Sequence, residues 1–235
     1  MYSKQNQYLT YYRYQGRKIS KKISKSNLNL LANYYDLYSY DQKIIEYFES
    51  HKKNKSIDFS SSPFRKINIE IGFGDGEYLL KSAIKKPNEL FIGIEFYKNG
   101  IAKILKSILD FNLQNIKLCN LNSMFFLSAL PKNSVDTLLI INPDPWPKKK
   151  HEKRRLISHK NLSIFKRVVK SKNSIYITTD SISYLNYIKN IISNNHKKLF
   201  DHDIATLSKN DELYGVSRYQ RKAIENGGNI YQITI

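Results

Sequence analysis

From Lys66 onward the chain alternates short apolar runs with longer amphipathic stretches. The runs KINIEI (66–71), LFIGIE (90–95), NIKLC (115–119), DTLLIIN (136–142) and SIYITTD (174–180) have the length and apolar content of buried strands. Between them, 77–85, 97–110, 123–130, 155–170 and 181–193 place apolar residues at helical spacing, with Arg154 and Arg155 at the start of the fourth. Strands alternating with helices predict an α/β fold, a parallel sheet with helices on both faces and right-handed crossovers. NIYQITI (229–235) predicts one more strand, antiparallel beside its neighbour.

The region before the first strand has a different texture. Residues 1–35 contain no Asp or Glu, and RYQGRKISKKISKS (13–26) concentrates basic residues among polar ones, which reads as a mobile basic arm. DLYSYDQKIIEYFE (36–49) permits a helix, and SIDFSSSP (56–63) reads as a linker. The expected division is a partly helical basic N-terminal extension, 1–60, and an α/β domain, 61–235.

Composition sharpens this picture. A chain of 235 residues with 41% hydrophobic and 25% charged residues can bury a core. Its apolar runs, such as TLLII at 137–141, are far shorter than a membrane span, so no transmembrane helix is expected. The net charge of +19 and a pI of 9.7 point to an anionic partner, nucleic acid ahead of a membrane surface. An AT-rich codon bias toward Lys, Asn, Ile and Tyr explains part of that charge but not its clustering. The single cysteine, Cys119, excludes an internal disulfide and a thiolate zinc cluster, and reads as an inert core residue of a cytoplasmic protein. The acid-free start shares features with a transit peptide, but it is rich in Tyr and poor in Arg.

Polar residues gather at the carboxyl ends of the expected strands: 70–76, Glu95, 120–123, 142–146 and 178–180. In an open α/β sheet these ends face one ligand cleft. EIGFGDGEYLL (70–80) follows a strand and opens a helix, so Gly72, Gly74 and Gly76 permit tight turning and close ligand approach. The spacing is not that of a dinucleotide fingerprint, because Glu77 stands where the third glycine belongs, and no Gly-Lys-Ser/Thr makes it a P-loop. Glu70 would repel a pyrophosphate but suit the cationic groups of S-adenosylmethionine. Glu95 alone fits the ribose of either NAD or S-adenosylmethionine, or a solvated strand end. Taken with Glu70 and the glycine spacing, it favours the methyl donor.

EIGFGDG, GIE, PDPWPKKKHEKRRL, TTD and SRYQRKAIENG, in that order, resemble the bacterial tRNA (guanine-N7-)-methyltransferase family across about residues 65–235, and YYRYQGR is similar to that family's basic arm. The resemblance implies a class I Rossmann-like methyltransferase fold with a mostly parallel seven-stranded sheet, S-adenosylmethionine as cofactor, and guanosine 46 of the tRNA variable loop as target. It implies that Glu70, Glu95, Asn122 and Asp144 surround the cofactor with the glycines. Asp144 would be the essential residue, and Lys148, Asp180 and Ser217, Arg218, Tyr219 and Gln220 substrate contacts. Two positions depart from the family pattern. Asn122 stands where Asp is common, its amide still able to accept from the adenine amino group, and Gln220 replaces a usual Glu.

The run NPDPWPKKKHEKRRL (142–156) carries the chemistry in this reading. Guanine N7 loses no proton before attack, so Asp144 serves as a fixed carboxylate rather than a base, aimed by Pro143 and Pro145. Trp146 either stacks on the extruded base or packs the cleft wall. Lys148, Lys149, Lys150, Lys153, Arg154 and Arg155 are expected to grip phosphates, with one of the two arginines alternatively turned inward behind Asp144 and Lys149 and Lys150 alternatively solvated. HEKRRLISH lacks zinc-protease spacing and DHD (201–203) lacks neighbouring ligands, so no metal is expected. Rival readings are an exocyclic-nitrogen methyltransferase, since NPDPW approximates an Asn-Pro-Pro-aromatic motif, a noncatalytic RNA-binding module, and an NAD oxidoreductase. Monomer and homodimer both remain open.

Overall fold

The computed structural model describes residues 22–50, 57, 59, 61–193 and 202–235. The basic stretch 13–26 therefore lies outside the described residues as far as residue 21. The first described helix, α1 (Lys25–Tyr38), begins at Ser24, whose side chain accepts the Asn27 N–H. Over 25–35 this ordered helix replaces the mobile arm expected there, because Leu30, Leu31, Tyr35 and Tyr38 find apolar partners on the body. The helix expected over 36–49 is divided at Ser39–Tyr40, where the chain pairs with Leu118 before α2 (Asp41–Glu49) starts.

The body alternates β1 (Lys66–Ile71), α3 (Glu77–Lys85), β2 (Glu89–Ile94), α4 (Lys98–Asp110), β3 (Ile116–Cys119), α5 (Ser123–Ser128), β4 (Thr137–Ile141), α6 (His159–Val168), β5 (Ile175–Thr179) and α7 (Ile182–Ser193). Then follow β6 (Asp203–Thr206), α8 (Arg218–Glu225) and β7 (Tyr231–Thr234), of which β6 and α8 have no counterpart among the sequence-predicted elements. The strands form one seven-stranded sheet, ordered β3-β2-β1-β4-β5-β7-β6. All pairings are parallel except those of β7 with β5 and β6.

Alternation along each strand assigns side chains to the two faces. Ile67 and Ile69 of β1, Ile92 of β2 and Leu138 and Ile140 of β4 pack with Ile44, Phe126, Phe165 and Ile188 from α2, α5, α6 and α7. On the other face, Phe91 meets Leu79 of α3 and Ile104 of α4, while Leu139 and Ile141 meet Leu213 and Ile230. Glu70, of opposite parity to Ile69 and Ile71, belongs to that second face. The strand order reverses between β1 and β4, a switch point that opens a crevice beyond their carboxyl ends.

The N-terminal helices are tied to this end of the sheet. Asp41 accepts the Asn120 backbone N–H at 3.0 Å and the Tyr35 hydroxyl at 2.9 Å, and the Asn120 side chain donates to the Glu95 carbonyl at 2.7 Å. Cys119 is fully buried beside Asp41 with its thiol pushed well up, chiefly by burial, consistent with an inert core thiol.

Candidate active site

The strand ends at 70–75, Glu95, Asn122, Ser123, Asn142, Pro143, Asp144 and Trp146 line one cleft of about 960 Å³, whereas 120–121 and 178–180, expected there too, stand outside its lining. Gly72, Gly74 and Gly76 have φ of 76°, 59° and 75°, a left-handed geometry that glycine alone adopts without strain. A side chain on Gly72 or Gly74 would meet nothing within 4 Å, so their backbone faces open space. Gly76 instead backs onto Ile104, and it sets the turn rather than the wall.

Glu70 is 3% exposed and its Oε2 has no hydrogen-bond partner among the described residues. Burial first, and the charge of Glu95 second, push its carboxyl up to about 8. Glu95, unlike Glu70, has both carboxylate oxygens hydrogen-bonded. Its Oε2 accepts the Gly74 N–H at 2.8 Å, and its Oε1 accepts the N–H groups of Phe96 at 2.6 Å and Tyr97 at 3.0 Å. Glu95 thus fastens the glycine loop to the end of β2. Asn122 lines the same cleft, but its Oδ1 caps α5 by accepting from Met124 at 2.9 Å and Phe125 at 3.3 Å. Both acceptor positions of that oxygen are taken, which corrects the expectation that it is available to an adenine amino group.

Asp144 lies half-buried at the cleft wall on a turn bounded by Asn142 and Trp146, whose φ values are 47° and 42°. Trp146 packs against the basic segment that follows its turn: the Arg154 guanidinium lies 5.0 Å over its ring, and His151 meets it edge-on at 5.5 Å. His151 is held below its ordinary pKa by partial desolvation and then by Arg154, Lys150 and Lys148. The helix expected from 155 is absent at its start. A 3-10 helix spans Lys149–Arg154, Arg155 is extended, and α6 begins after Ser158. Arg155 turns inward and bonds the carbonyls of Pro145 and Trp146, so of the two arginines it is the one behind Asp144.

Ser217, Arg218 and Tyr219 reach the cleft from the N-terminal end of α8, and Tyr219 is 70% exposed there. Lys148 is exposed outside the lining, and Asp180 is exposed with its Oδ1 bonded to the Asn142 amide at 3.0 Å. Gln220 departs from its expected role as a substrate contact. It is 0% exposed, with its amide bonded to Asn142, Thr178 and Val216. Lys160 and Asn161 also line the cleft; no motif marked them, because they enter it only through the placement of α6. Among the described residues, no helix is long and apolar enough to cross a membrane.

Comparison with known proteins bears on this arrangement. A family model described as "Putative methyltransferase" matches residues 64–233. A tRNA (guanine-N(7)-)-methyltransferase of Bartonella henselae is 35% identical over 221 residues, which are 90% of this chain and 90% of that protein. Its counterpart from Agrobacterium fabrum is 34% identical over 73% of this chain and 72% of its own length. A bifunctional methyltransferase of Rickettsia typhi is 34% identical over 88% of this chain, which spans only 37% of that longer protein. Among solved structures, a 30S ribosomal A1408 methyltransferase from an uncultured bacterium superimposes with a TM-score of 0.51 at 20% identity, covering 73% of this chain and 87% of that one. That likeness establishes a Rossmann-like methyltransferase fold. With the matched model and the relatives that align over most of their length, the chain belongs to the tRNA (guanine-N(7)-)-methyltransferase family.

Proposed function

We propose that this chain transfers a methyl group from S-adenosylmethionine to N7 of the variable-loop guanosine of tRNA. One observation carries the reading. A single cleft holds a buried carboxylate with an unbonded oxygen, Glu70, and a second acid, Asp144, fixed between two prolines beside a basic run.

The residues present fit the cofactor. The unbonded Glu70 Oε2 would receive the methionyl ammonium, the open backbone of Gly72 and Gly74 would admit close approach, and Glu95 would accept one ribose hydroxyl on its remaining lone pair. Asn122 would line the site through its amide nitrogen. When bound, the cofactor supplies an electrophilic methyl whose bond to sulfur breaks as the bond to N7 forms, sulfur leaving as a neutral thioether.

Guanine N7 presents an in-plane lone pair and carries no proton, so the chain need not supply a base. Its task is alignment and charge. The Asp144 carboxylate would accept the guanine N1–H and amino group and face the base as it turns cationic. Positioning contributes about 7–11 kcal/mol in favourable systems, and a fixed charge adds a few kcal/mol. Exposed Lys148, Lys149, Lys150 and Lys153 would meet phosphates near the target nucleotide. The basic extension within 1–60 would add sequence-independent attraction.

The test uses unmodified tRNA transcripts, labelled S-adenosylmethionine, nuclease digestion and mass spectrometry of the nucleosides. The expected label is in 7-methylguanosine and disappears when the variable-loop guanosine is replaced. Label on an exocyclic nitrogen overturns the reading.

A further inference from the structure

We propose that Arg155 and Gln220 are positioning residues that grip the Asn142–Trp146 turn from its two ends and so aim Asp144, neither of them touching the substrate. The inference rests on the methyl-transfer reading for its kinetic consequence, though not for its geometry.

Pro143 and Pro145 have no N–H to donate, and Trp146 adopts left-handed φ, a conformation that a bulky residue keeps only where its surroundings enforce it; Asn142 shares that φ, which asparagine tolerates. Partners must therefore come from elsewhere in the chain, and they come at both ends.

At the first end the Asn142 side chain is bonded through both its oxygen and its nitrogen. Its Oδ1 accepts from the Thr178 hydroxyl at 2.9 Å and from Gln220 Nε2 at 3.0 Å, and its Nδ2 donates to Asp180 at 3.0 Å. Gln220 is likewise bonded at both atoms: Nε2 also donates to Thr178 Oγ1 at 3.1 Å, and Oε1 accepts the Val216 N–H at 3.1 Å. Only an amide, with donor and acceptor on one group, satisfies both sides. A glutamate at 220 would set an acceptor against the Asn142 oxygen in this buried place.

At the second end Arg155 Nε donates to the Pro145 carbonyl at 2.8 Å, and Nη2 donates to the Trp146 carbonyl at 3.2 Å. The guanidinium lies 4.0 Å over the Tyr187 ring, and its side chain is only 8% exposed although it stands in a run of exposed basic residues. Nε and Nη2 are thereby spent on the turn and Nη1 pairs with Glu152 at 3.4 Å, so each nitrogen already has a partner within the chain. The forked geometry across two successive carbonyls is specific to arginine; a lysine keeps the charge and loses the fork.

The experiment compares Arg155→Lys, Arg155→Met and Gln220→Glu with the parent in two independent ways. Steady-state kinetics on tRNA should show kcat lowered about tenfold to a hundredfold at unchanged KM, as a displaced catalytic group produces, with the salt slope of tRNA binding unaltered. Trp146 is the chain's sole tryptophan, so acrylamide quenching reads the turn directly and should rise in each variant. If Arg155→Lys keeps full kcat while Arg155→Met raises KM and lowers the salt slope by about one, Arg155 is a phosphate contact and the proposal falls. Unchanged kcat and quenching in Gln220→Glu remove the other half. Should the parent fail to methylate tRNA while quenching still rises, the grip stands and the functional reading falls. Arg155→Lys and Gln220→Glu carry the test if Arg155→Met does not fold.

Discussion

The charge of Glu95 adds to burial in pushing the Glu70 carboxyl up to about 8, so at neutral pH the cofactor-free protein holds Glu70 largely protonated. A cationic ammonium favours the ionised form, and binding must therefore release a proton below pH 8. Affinity for S-adenosylmethionine should rise by up to about tenfold per pH unit from pH 6 toward 8. Above that it should fall, as an α-amino group with a pKa of about 7.7–8.0 loses its own charge. Calorimetry in buffers of different ionisation enthalpy measures the released proton directly, and Glu70→Gln should abolish the acid limb.

The same shift has a sign for stability. The folded pKa lies above the ordinary 4.5, so the contribution of Glu70 is fully present below about pH 4.5 and is lost as pH rises through about 8. Glu70→Gln removes that ionisation. Its melting temperature without cofactor should exceed the parent's by several degrees at pH 9, with a much smaller gap at pH 5. Thermal melts at the two pH values decide it.

Asp144 is proposed to act by charge, so its isosteric amide should fail at turnover rather than at folding. Asp144→Asn is expected to lower kcat by about a hundredfold or more while retaining the melting temperature and tRNA affinity. Single-turnover methylation measures this, and near-normal turnover would remove the electrostatic role.

Asn122 spends its oxygen on the N-terminus of α5, at 2.9 Å from Met124 N and 3.3 Å from Phe125 N. An aspartate could cap with one oxygen and offer the other to an adenine amino donor. Asn122→Asp should tighten cofactor binding several-fold, an effect within the ordinary worth of one added hydrogen bond to a charged acceptor. Calorimetric titration supplies the comparison.

Gly100 lets α4 approach the glycine loop, since a Cβ there would stand 2.0 Å from the Gly74 carbonyl oxygen. The obstruction is backbone, so no rotamer change relieves it. Gly100→Ala should displace the loop that Glu95 holds, weakening cofactor binding by about tenfold or more and lowering the melting temperature.

Strands and central helices were legible because their signals are local. KINIEI became Lys66–Ile71 and EYLLKSAIK became Glu77–Lys85, with alternation or helical spacing ended by nearby glycine, proline or asparagine. The misreadings share the opposite cause. The apolar positions of Lys25–Tyr38 form a face only when α4 and the sheet edge are beside them, and Asp203–Thr206 is a strand only because β7 lies alongside.

The site divides in the same way. Residue type and spacing along the chain determined that two acids, a glycine loop, a proline-fixed turn and a basic run meet at the strand ends, since strand direction and sheet order carry them there. Whether a polar side chain faces the cleft or the core was decided by tertiary structure alone. Gln220 and Tyr219 are neighbours in one motif, yet the first is 0% exposed and the second 70%. Arg154 lies over Trp146 while Arg155 is bonded beneath the turn. Polarity states what a side chain can bond. The partner, distant in sequence and close in space, states what it does bond.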